Sequence, residues 1–174
     1  MKTKWWKLIP LLIVLIGIAL LINNKLVSSF NYDTHEYEIL SVANFKKQDL
    51  FILTNEQRAS NNVPLLAYNT KLELSATDKC RDMVAKGYWS HNAPDGTEPW
   101  VFIKKYTNYA KAGENLSKGQ YNSLDAVKAW MESPLHKKNM VDSDFTSVGF
   151  GVCYVPTAPF QQESIIVVQH FAKL

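Results

Sequence analysis

The order of the hydrophobic patterns restricts the fold of this chain more than any other feature. Helical periodicity fills the middle of the sequence, and in its clearest stretch, 69–86, one face carries Leu72, Ala76, Cys80, Met83 and Val84. β patterns close the chain: 148–154 alternates larger apolar residues with small ones, and 165–171 is apolar and rich in β-branched residues. Helices followed by adjacent strands predict an α+β fold with a central antiparallel sheet.

Local signals set the expected ends of the helices. Further helices are predicted over 45–60, from Pro99 onward and over 123–131. Thr70 and Glu73 fit a capping box, and Gly87 supplies a C-terminal stop. Ser123 is the expected N-cap of its helix.

The small residues of the first β pattern are expected to serve packing. Gly149 and Gly151 fall on one face of that strand, together with Cys153. A glycine face in a strand indicates close approach by another backbone.

Ser133 and Pro134 predict a corner between two helices. Proline ends the first helix, because the residue before it avoids helical geometry, and it suits the first turn of the next. His136 then falls in that first turn, where the positive end of the helix dipole disfavours protonation. The imidazole is therefore expected to stay neutral, unless it simply packs as a capping group against Trp130.

The N-terminus predicts export. Leu8 to Ile22 is an uninterrupted apolar run of fifteen residues, preceded by lysines and the pair Trp5-Trp6. This pattern favours an N-terminal hydrophobic helix that anchors the chain in the cell membrane as a single pass, with the remainder extracytoplasmic. The alternative is a cleaved signal peptide, which would leave a secreted protein. The expected organisation is an anchor or signal over 1–29, a spacer over 30–44 and one domain over 45–174.

The charge balance argues against a nucleic-acid partner. The net charge is +3, but four lysines precede residue 30, where there is no acidic residue, so the remainder carries 15 basic and 16 acidic residues. A body without a basic excess offers no attractive field for nucleic acid.

The chain contains two cysteines, Cys80 and Cys153. In an exported protein they can form one intramolecular disulfide, and otherwise they are two small buried apolar residues. The sequence alone leaves both interpretations open.

Three short segments carry the groups that can exchange a proton or bind a metal. They are Ser90–Gly96, Gly113–Leu116 and Trp130–His136, and they contribute His91, Glu114, Glu132 and His136. Taken singly, these residues are typical of a turn histidine, solvated carboxylates and a helix-capping histidine. Together, they predict a convergent His/Glu site. His170 alternates with Val168 in the last strand, so we expect it to point inward as a core or cavity-lining residue.

The order of these and other motifs resembles the CAP superfamily, the group that includes sperm-coating glycoproteins, cysteine-rich secretory proteins, venom allergens and plant pathogenesis-related proteins. The likeness is greatest to its short bacterial branch and runs from about Leu50 to the C-terminus. The residues that carry it are Thr54–Arg58, Met83, Tyr88–His91, Pro94–Gly96, Ala112–Leu116, Ala129–Met131, Ser133, Pro134, His136, Val148–Gly151 and Gln169.

The resemblance implies a three-layer α/β/α sandwich and a cavity lined by two histidines and two glutamates. Matching motifs assign His91, Glu114 and His136 to that site. The fourth position falls on Ser133, so Glu132, one residue earlier, is only a neighbouring candidate.

Several functions remain open for such a site. Two neutral imidazoles, His91 and His136, could bind Zn²⁺ or another divalent cation, with Glu114 as a further ligand. With or without such a metal, the first function is that of an extracytoplasmic domain whose cavity binds a small ligand, lipid, glycan or peptide. The alternative is a metal-assisted hydrolase that acts on peptide or cell-wall material with His91, Glu114 and His136 as catalytic residues. A third option is an interaction module at the envelope. The sequence contains no HExxH motif and no GxSxG motif. Their absence argues against a zinc protease of the HExxH type and against an α/β-hydrolase.

Overall fold

The computed structural model describes residues 44–156 and 164–174. The helices are α1 (Lys47–Ser60), α2 (Thr70–Lys86), α3 (Pro99–Lys104), α4 (Ser123–Glu132) and α5 (Pro134–Met140), and the strands are β1 (Ala67–Tyr68), β2 (Lys111–Lys118), β3 (Ser147–Val155) and β4 (Ser164–Lys173). The predicted anchor and most of the predicted spacer lie outside the described residues. Within those residues, none of the helices combines the length and the apolar character that crossing a membrane requires.

The described strands form one mixed sheet in the order β1-β3-β4-β2. β3 pairs antiparallel with β4, and β4 pairs antiparallel with β2. These three strands form the predicted central antiparallel sheet, and the two-residue β1 adds a parallel strand at the other end of the described sheet, with Ala67 opposite Ser147. The mixed α/β character is as predicted.

Two glycines let α2 lie directly on the sheet. A Cβ atom on Gly149 would come 2.2 Å from the backbone nitrogen of Glu73, and one on Gly151 would come 2.3 Å from the carbonyl oxygen of Ala76. No real side chain tolerates such distances, so both positions require glycine. The predicted close approach of another backbone is confirmed, and α2 is the element that approaches.

Side-chain alternation divides the residues of β4 between the two faces of the sheet. Ile166 and Val168 belong to the buried cluster that contains Ala76 and Met83 of α2. Ile165, Val167 and Phe171 belong to the opposite cluster, which includes Leu50 of α1 and Trp130 of α4. Each face of β4 therefore packs against helices.

Two predicted N-caps are shifted by one residue in the structure. Asn69, rather than Thr70, caps α2 by accepting hydrogen bonds from the amides of Lys71 and Leu72. Asn122, rather than Ser123, caps α4. Gly87 ends α2, as predicted, and adopts the left-handed conformation with a φ of 67°.

Cys80 and Cys153 form a disulfide that joins α2 to β3, with their Cα atoms 6.0 Å apart. The structure thus decides between the two interpretations of these cysteines. The bond lies on the face of the sheet that α2 covers, beside the contact of Gly151 with the same helix. It fixes α2 where the glycines allow it to pack.

β2 lies at the end of the described sheet, and side chains satisfy its outer edge. The amide of Asn139 donates to the carbonyl oxygen of Glu114 over 3.1 Å. The indole of Trp130 donates to the carbonyl oxygen of Leu116 over 3.1 Å. Both acceptors lie on the strand edge that faces away from β4.

Candidate functional site

Glu114 is the buried centre of the site, with only 1% of its side chain exposed. Both of its carboxylate oxygens have histidine partners. Oε1 lies 2.6 Å from Nδ1 of His91, and Oε2 lies 3.0 Å from Nε2 of His170. The carboxylate therefore joins a loop histidine to a strand histidine.

Strand register places Glu114 against His170. The two residues are opposite one another in the β2–β4 pair, and Gly149 is opposite His170 in the β3–β4 pair. Side chains of paired residues lie on the same face of a sheet, so Glu114 and His170 share the face beneath α2. The pairing of β2 with β4 therefore places Glu114 beneath α2, where water has little access.

The site holds Glu114 in its ionised form. Burial alone would raise the pKa of this carboxyl, but the hydrogen bonds with His170 and His91, and the nearby charge of Lys79, outweigh it and lower the pKa. A carboxylate can only accept hydrogen bonds. Nδ1 of His91 and Nε2 of His170 must therefore carry the protons in these two contacts.

A buried lysine holds the loop that carries His91. The side chain of His91 is 53% exposed, as predicted for a loop residue. Lys79 of α2 is fully buried, and its Nζ donates to the carbonyl oxygens of His91 (2.6 Å) and Ser90 (3.1 Å) and to the hydroxyl of Tyr88 (3.0 Å). Burial lowers the pKa of Lys79, and the charge of Glu114 acts in the opposite direction.

His136 lies near the start of α5, as predicted, and is partly buried. Burial is the main cause of its lowered pKa, and the charge of His91 lowers it further. The two imidazoles are therefore close enough to repel one another when both are protonated. Within the ranges 44–156 and 164–174, no side chain or backbone group forms a hydrogen bond with the His136 ring.

A buried amide network fixes the backbone of His136. Nδ2 of Asn115 donates to the carbonyl oxygen of His136 over 3.2 Å and to Oε1 of Gln169 over 3.0 Å. Gln169 in turn donates to the hydroxyl of Thr54 in α1 over 3.1 Å. Glu114 and Asn115 are consecutive in β2, so their side chains lie on opposite faces of the sheet: that of Glu114 contacts the His91 ring, and that of Asn115 contacts the backbone of His136.

Glu132 does not join this arrangement. It is the last residue of α4, its side chain is 68% exposed, and its carboxylate lies 4.0 Å from Nζ of Lys128 on the same helix. Ser133, which occupies the fourth family position, is the corner between α4 and α5. Of the four predicted residues, the structure joins His91 directly to Glu114 and brings His136 within electrostatic range of His91.

Three residues of the site were not predicted as such: His170, Ser75 and Lys79. Alternation in β4 predicted that His170 points inward, and it is fully buried. Its Nδ1 lies 2.8 Å from the hydroxyl of Ser75, which also donates to the carbonyl oxygen of Leu72 over 2.8 Å.

The order Ser75–His170–Glu114 resembles the order of groups in a serine hydrolase triad. Ser75, however, is fully buried within α2, and its hydroxyl is bound to the backbone of its own helix. A nucleophile must reach a substrate carbonyl. The serine therefore supports His170 and does not attack a substrate.

If a metal were bound here, the histidines rather than the carboxylate would be its ligands. In the part of the chain that the structure describes, no group of three or more His, Cys, Asp or Glu residues is arranged to hold an ion. Both oxygens of Glu114 are occupied by ring nitrogens, which leaves Nε2 of His91 and the ring of His136 as available donors. A carboxylate that orients a metal-binding histidine through its other nitrogen is a common arrangement.

A mixed four-stranded sheet with a buried glutamate beneath α2, flanked by a loop histidine and a helix histidine, defines a CAP-type domain. The family described as "CAP: Cysteine-rich secretory protein family" matches residues 51–171. The chain belongs to this family, which confirms the resemblance seen in its motifs.

Curated relatives come from Bacillus subtilis (strain 168). "Uncharacterized protein YkwD" is 37% identical over 112 residues, which are 64% of this chain and 43% of that protein. "Uncharacterized membrane protein YlbC" is 26% identical over 107 residues, which are 61% of this chain and 31% of that protein. The chain thus spans less than half the length of either relative.

Solved structures share the fold. An extracellular protein containing a SCP domain from Bacillus anthracis str. Ames aligns with a TM-score of 0.63 and 27% identity, over 74% of this chain and 40% of that one. An outer surface protein from Borrelia burgdorferi aligns with a TM-score of 0.60 and 26% identity, over 74% of this chain and 95% of that one.

Proposed function

We propose that this chain is an extracytoplasmic CAP domain that binds a ligand through the exposed ring of His91 and the ring of His136. The relatives named as an extracellular protein and an outer surface protein support this location, and so does the disulfide between Cys80 and Cys153. The apolar run before residue 30 would hold the domain at the cell membrane, and the name of one relative as a membrane protein agrees with this. The proposal includes the three-layer arrangement, with α2 on one face of the sheet and α1 with α4 on the other.

One observation carries the proposal: a buried, ionised glutamate accepts a 2.6 Å hydrogen bond from a half-exposed histidine. Burying a carboxylate costs free energy unless it is paired, and here the pairing fixes a ring that faces solvent. A structural role alone would not need one of the two partners to remain half exposed. The His91 ring is thus preorganised for binding, and the Glu114 carboxylate beneath it holds its orientation.

Zn²⁺ or another divalent cation is the ligand that this donor set suits best. Nε2 of His91 and a ring nitrogen of His136 would hold it, with Glu114 as the orienting group. The lowered pKa of His136 keeps that ring neutral near pH 7, the form that donates a lone pair to a metal. A bound zinc ion would supply an electrophilic centre for an oxygen atom of a small ligand, glycan, lipid or peptide.

Calorimetric titration of the full chain with Zn²⁺ tests this proposal. We expect saturable binding of one ion per chain, weakened at least tenfold in His91→Ala and in His136→Ala. Glu132→Gln is the matched control, because that carboxylate is exposed and lies beside Lys128 of its own helix, and it should bind as the wild type does. Absence of binding to the wild-type chain would overturn the metal-binding proposal, as would an equal loss in Glu132→Gln.

The hydrolase remains the second candidate, and the partly buried, neutral ring of His136 is the observation that favours it. Such a ring could accept a proton from water during hydrolysis of a peptide or cell-wall bond. Turnover of peptidoglycan fragments that disappears in His136→Ala and persists in Glu132→Gln would support it.

A further inference from the structure

His170 is a buried histidine that is not one of the residues proposed to contact a ligand. It lies between Ser75 and Glu114, with hydrogen-bond distances of 2.8 Å and 3.0 Å from its two ring nitrogens. We propose that His170 is a positioning residue: it fixes the Glu114 carboxylate so that His91 keeps its proton on Nδ1 and presents Nε2 to a ligand. The part of this inference that concerns a ligand rests on the proposed function, whereas the part that concerns the tautomer of His91 does not.

The argument starts from the freedom of a glutamate side chain. The terminal torsion of glutamate is broad, so one hydrogen bond with a half-exposed ring does not define the plane of the carboxylate. His170 is fully buried and occupies Oε2 of Glu114 from within the sheet face. Oε1 is then directed at the loop that carries His91, where it accepts from Nδ1.

The position of His170 is itself determined by its neighbours. Ser75 contacts Nδ1 from α2, and α2 reaches that close because Gly149, the partner of His170 in β3, has no side chain. The single hydroxyl hydrogen of Ser75 is donated to the carbonyl oxygen of Leu72, so in the arrangement with both bonds the serine oxygen accepts from Nδ1–H of His170. A series of hydrogen-bond contacts thus connects the packed helix α2 to the half-exposed ring of His91. It passes from Ser75 through His170 and Glu114.

The consequence is a choice between the two nitrogens of His91. A neutral imidazole has one donor and one acceptor nitrogen, and the bond that one nitrogen makes decides the role of the other. With Nδ1 committed to Glu114, Nε2 is left with a lone pair. That nitrogen suits a divalent cation or an N–H or O–H group of a ligand, and it does not suit a carbonyl oxygen.

Two amide substitutions of His170 separate these contacts. Asparagine places its amide near the position of Nδ1, within reach of Ser75 and short of Glu114. Glutamine is longer and places a donor near the position of Nε2, within reach of Glu114. Val168→Ala is the packing control, because Val168 shares the face and the helix contact of His170 and makes no bond with the carboxylate.

The readout is the tautomer of the His91 ring by ¹⁵N NMR of the histidine-labelled full chain without metal. We expect the wild type, His170→Gln and Val168→Ala to show the Nδ1–H form. In His170→Asn the ratio of Nδ1–H to Nε2–H should fall about tenfold, the size expected for loss of one hydrogen bond to a charged group. The affinity for Zn²⁺ should fall about tenfold in the same variant.

The outcomes are distinct. A wild-type His91 tautomer in His170→Asn would overturn the proposal, and so would an equal change in Val168→Ala. If His170→Asn does not fold, Ser75→Ala takes its place, and an unchanged tautomer in that variant would overturn the proposal as well. A tautomer change in a chain that binds no Zn²⁺ would support the role of His170 and count against the proposed metal site.

Discussion

The ammonium group of Lys79 lies 2.6 Å from the backbone carbonyl oxygen of His91, although the lysine is a fully buried residue of α2. Ser75, one helical turn earlier, contacts His170 from the same helix. α2 therefore supports both histidines that flank Glu114, one through its loop backbone and the other through its ring. The packing of α2 on the sheet therefore also determines the geometry of the site.

Lys79→Met is expected to destabilise the domain and loosen the His91 loop. The substitution keeps much of the side-chain volume but leaves the carbonyl oxygens of Ser90 and His91 without their buried donor. Loss of part-buried hydrogen bonds from a charged donor of this kind costs about 1.5–3 kcal/mol of unfolding free energy. Urea denaturation measures the change. Lys128→Met, on the exposed face of α4, is the control and should shift stability by less than about 0.5 kcal/mol. Equal effects of the two substitutions would contradict the assigned role of Lys79.

Reduction of the Cys80–Cys153 disulfide is expected to lower the unfolding free energy by about 4 kcal/mol. The bond spans 73 residues of sequence, and the loss of loop-closure entropy in the unfolded chain gives a value of this size. Urea unfolding with and without a thiol reductant measures the difference. The double variant Cys80→Ala/Cys153→Ala should not respond to the reductant. A wild-type chain with the same insensitivity would contradict the prediction.

Glu114 should contribute stability that disappears in acid. Its folded-state pKa is lowered from 4.5, so the folded chain binds fewer protons there than the unfolded chain. The contribution is complete above pH 4.5 and declines as the pH falls toward the folded-state pKa. The difference in unfolding free energy between the wild type and Glu114→Gln should therefore shrink below about pH 4.5. A difference that grows on acidification would show that the sign is wrong.

His136 should titrate below 6.5, and removal of His91 should raise its pKa only in part. Burial is the larger cause of the shift and remains in His91→Ala, whereas the repulsion from a protonated His91 is lost. The folded chain again binds fewer protons than the unfolded one, so this stability contribution is present above pH 6.5 and lost as the pH falls through the folded-state pKa. NMR titration of the His136 ring measures both values. A pKa of His136 that does not move in His91→Ala would place the two rings too far apart to interact.

Much of the fold was predictable because its main elements have strong periodicity. The apolar stripe of α2, the corner at Ser133 and the glycine face of β3 each appear in the structure where the sequence placed them. β2 was not predicted, since Lys111–Lys118 contains lysine, glycine, glutamate and asparagine, which have low strand propensity. Its conformation depends on pairing with the apolar β4, and no local pattern reports such pairing.

The site was predictable where motifs carried it and not where tertiary packing created it. His91 and Glu114 came from motif segments, and they form a direct hydrogen bond. The sequence did not indicate that Lys79 is buried in the site, because lysine is normally a surface residue. Its neighbour Cys80 belongs to an ordinary apolar stripe. The burial of Lys79 depends on carbonyl groups of a loop up to twelve residues further along the chain.

The side-chain caps on the edge of β2 restrict how a peptide could be recognised. Asn139 and Trp130 already occupy the outward carbonyl oxygens of Glu114 and Leu116. An extended peptide that docks by adding a strand needs such backbone acceptors free along the sheet margin. Between residues 114 and 116 it would find them taken, so a peptide there would have to be recognised through its side chains or its terminus. The same caps protect the margin against strand-to-strand association of two copies of the domain.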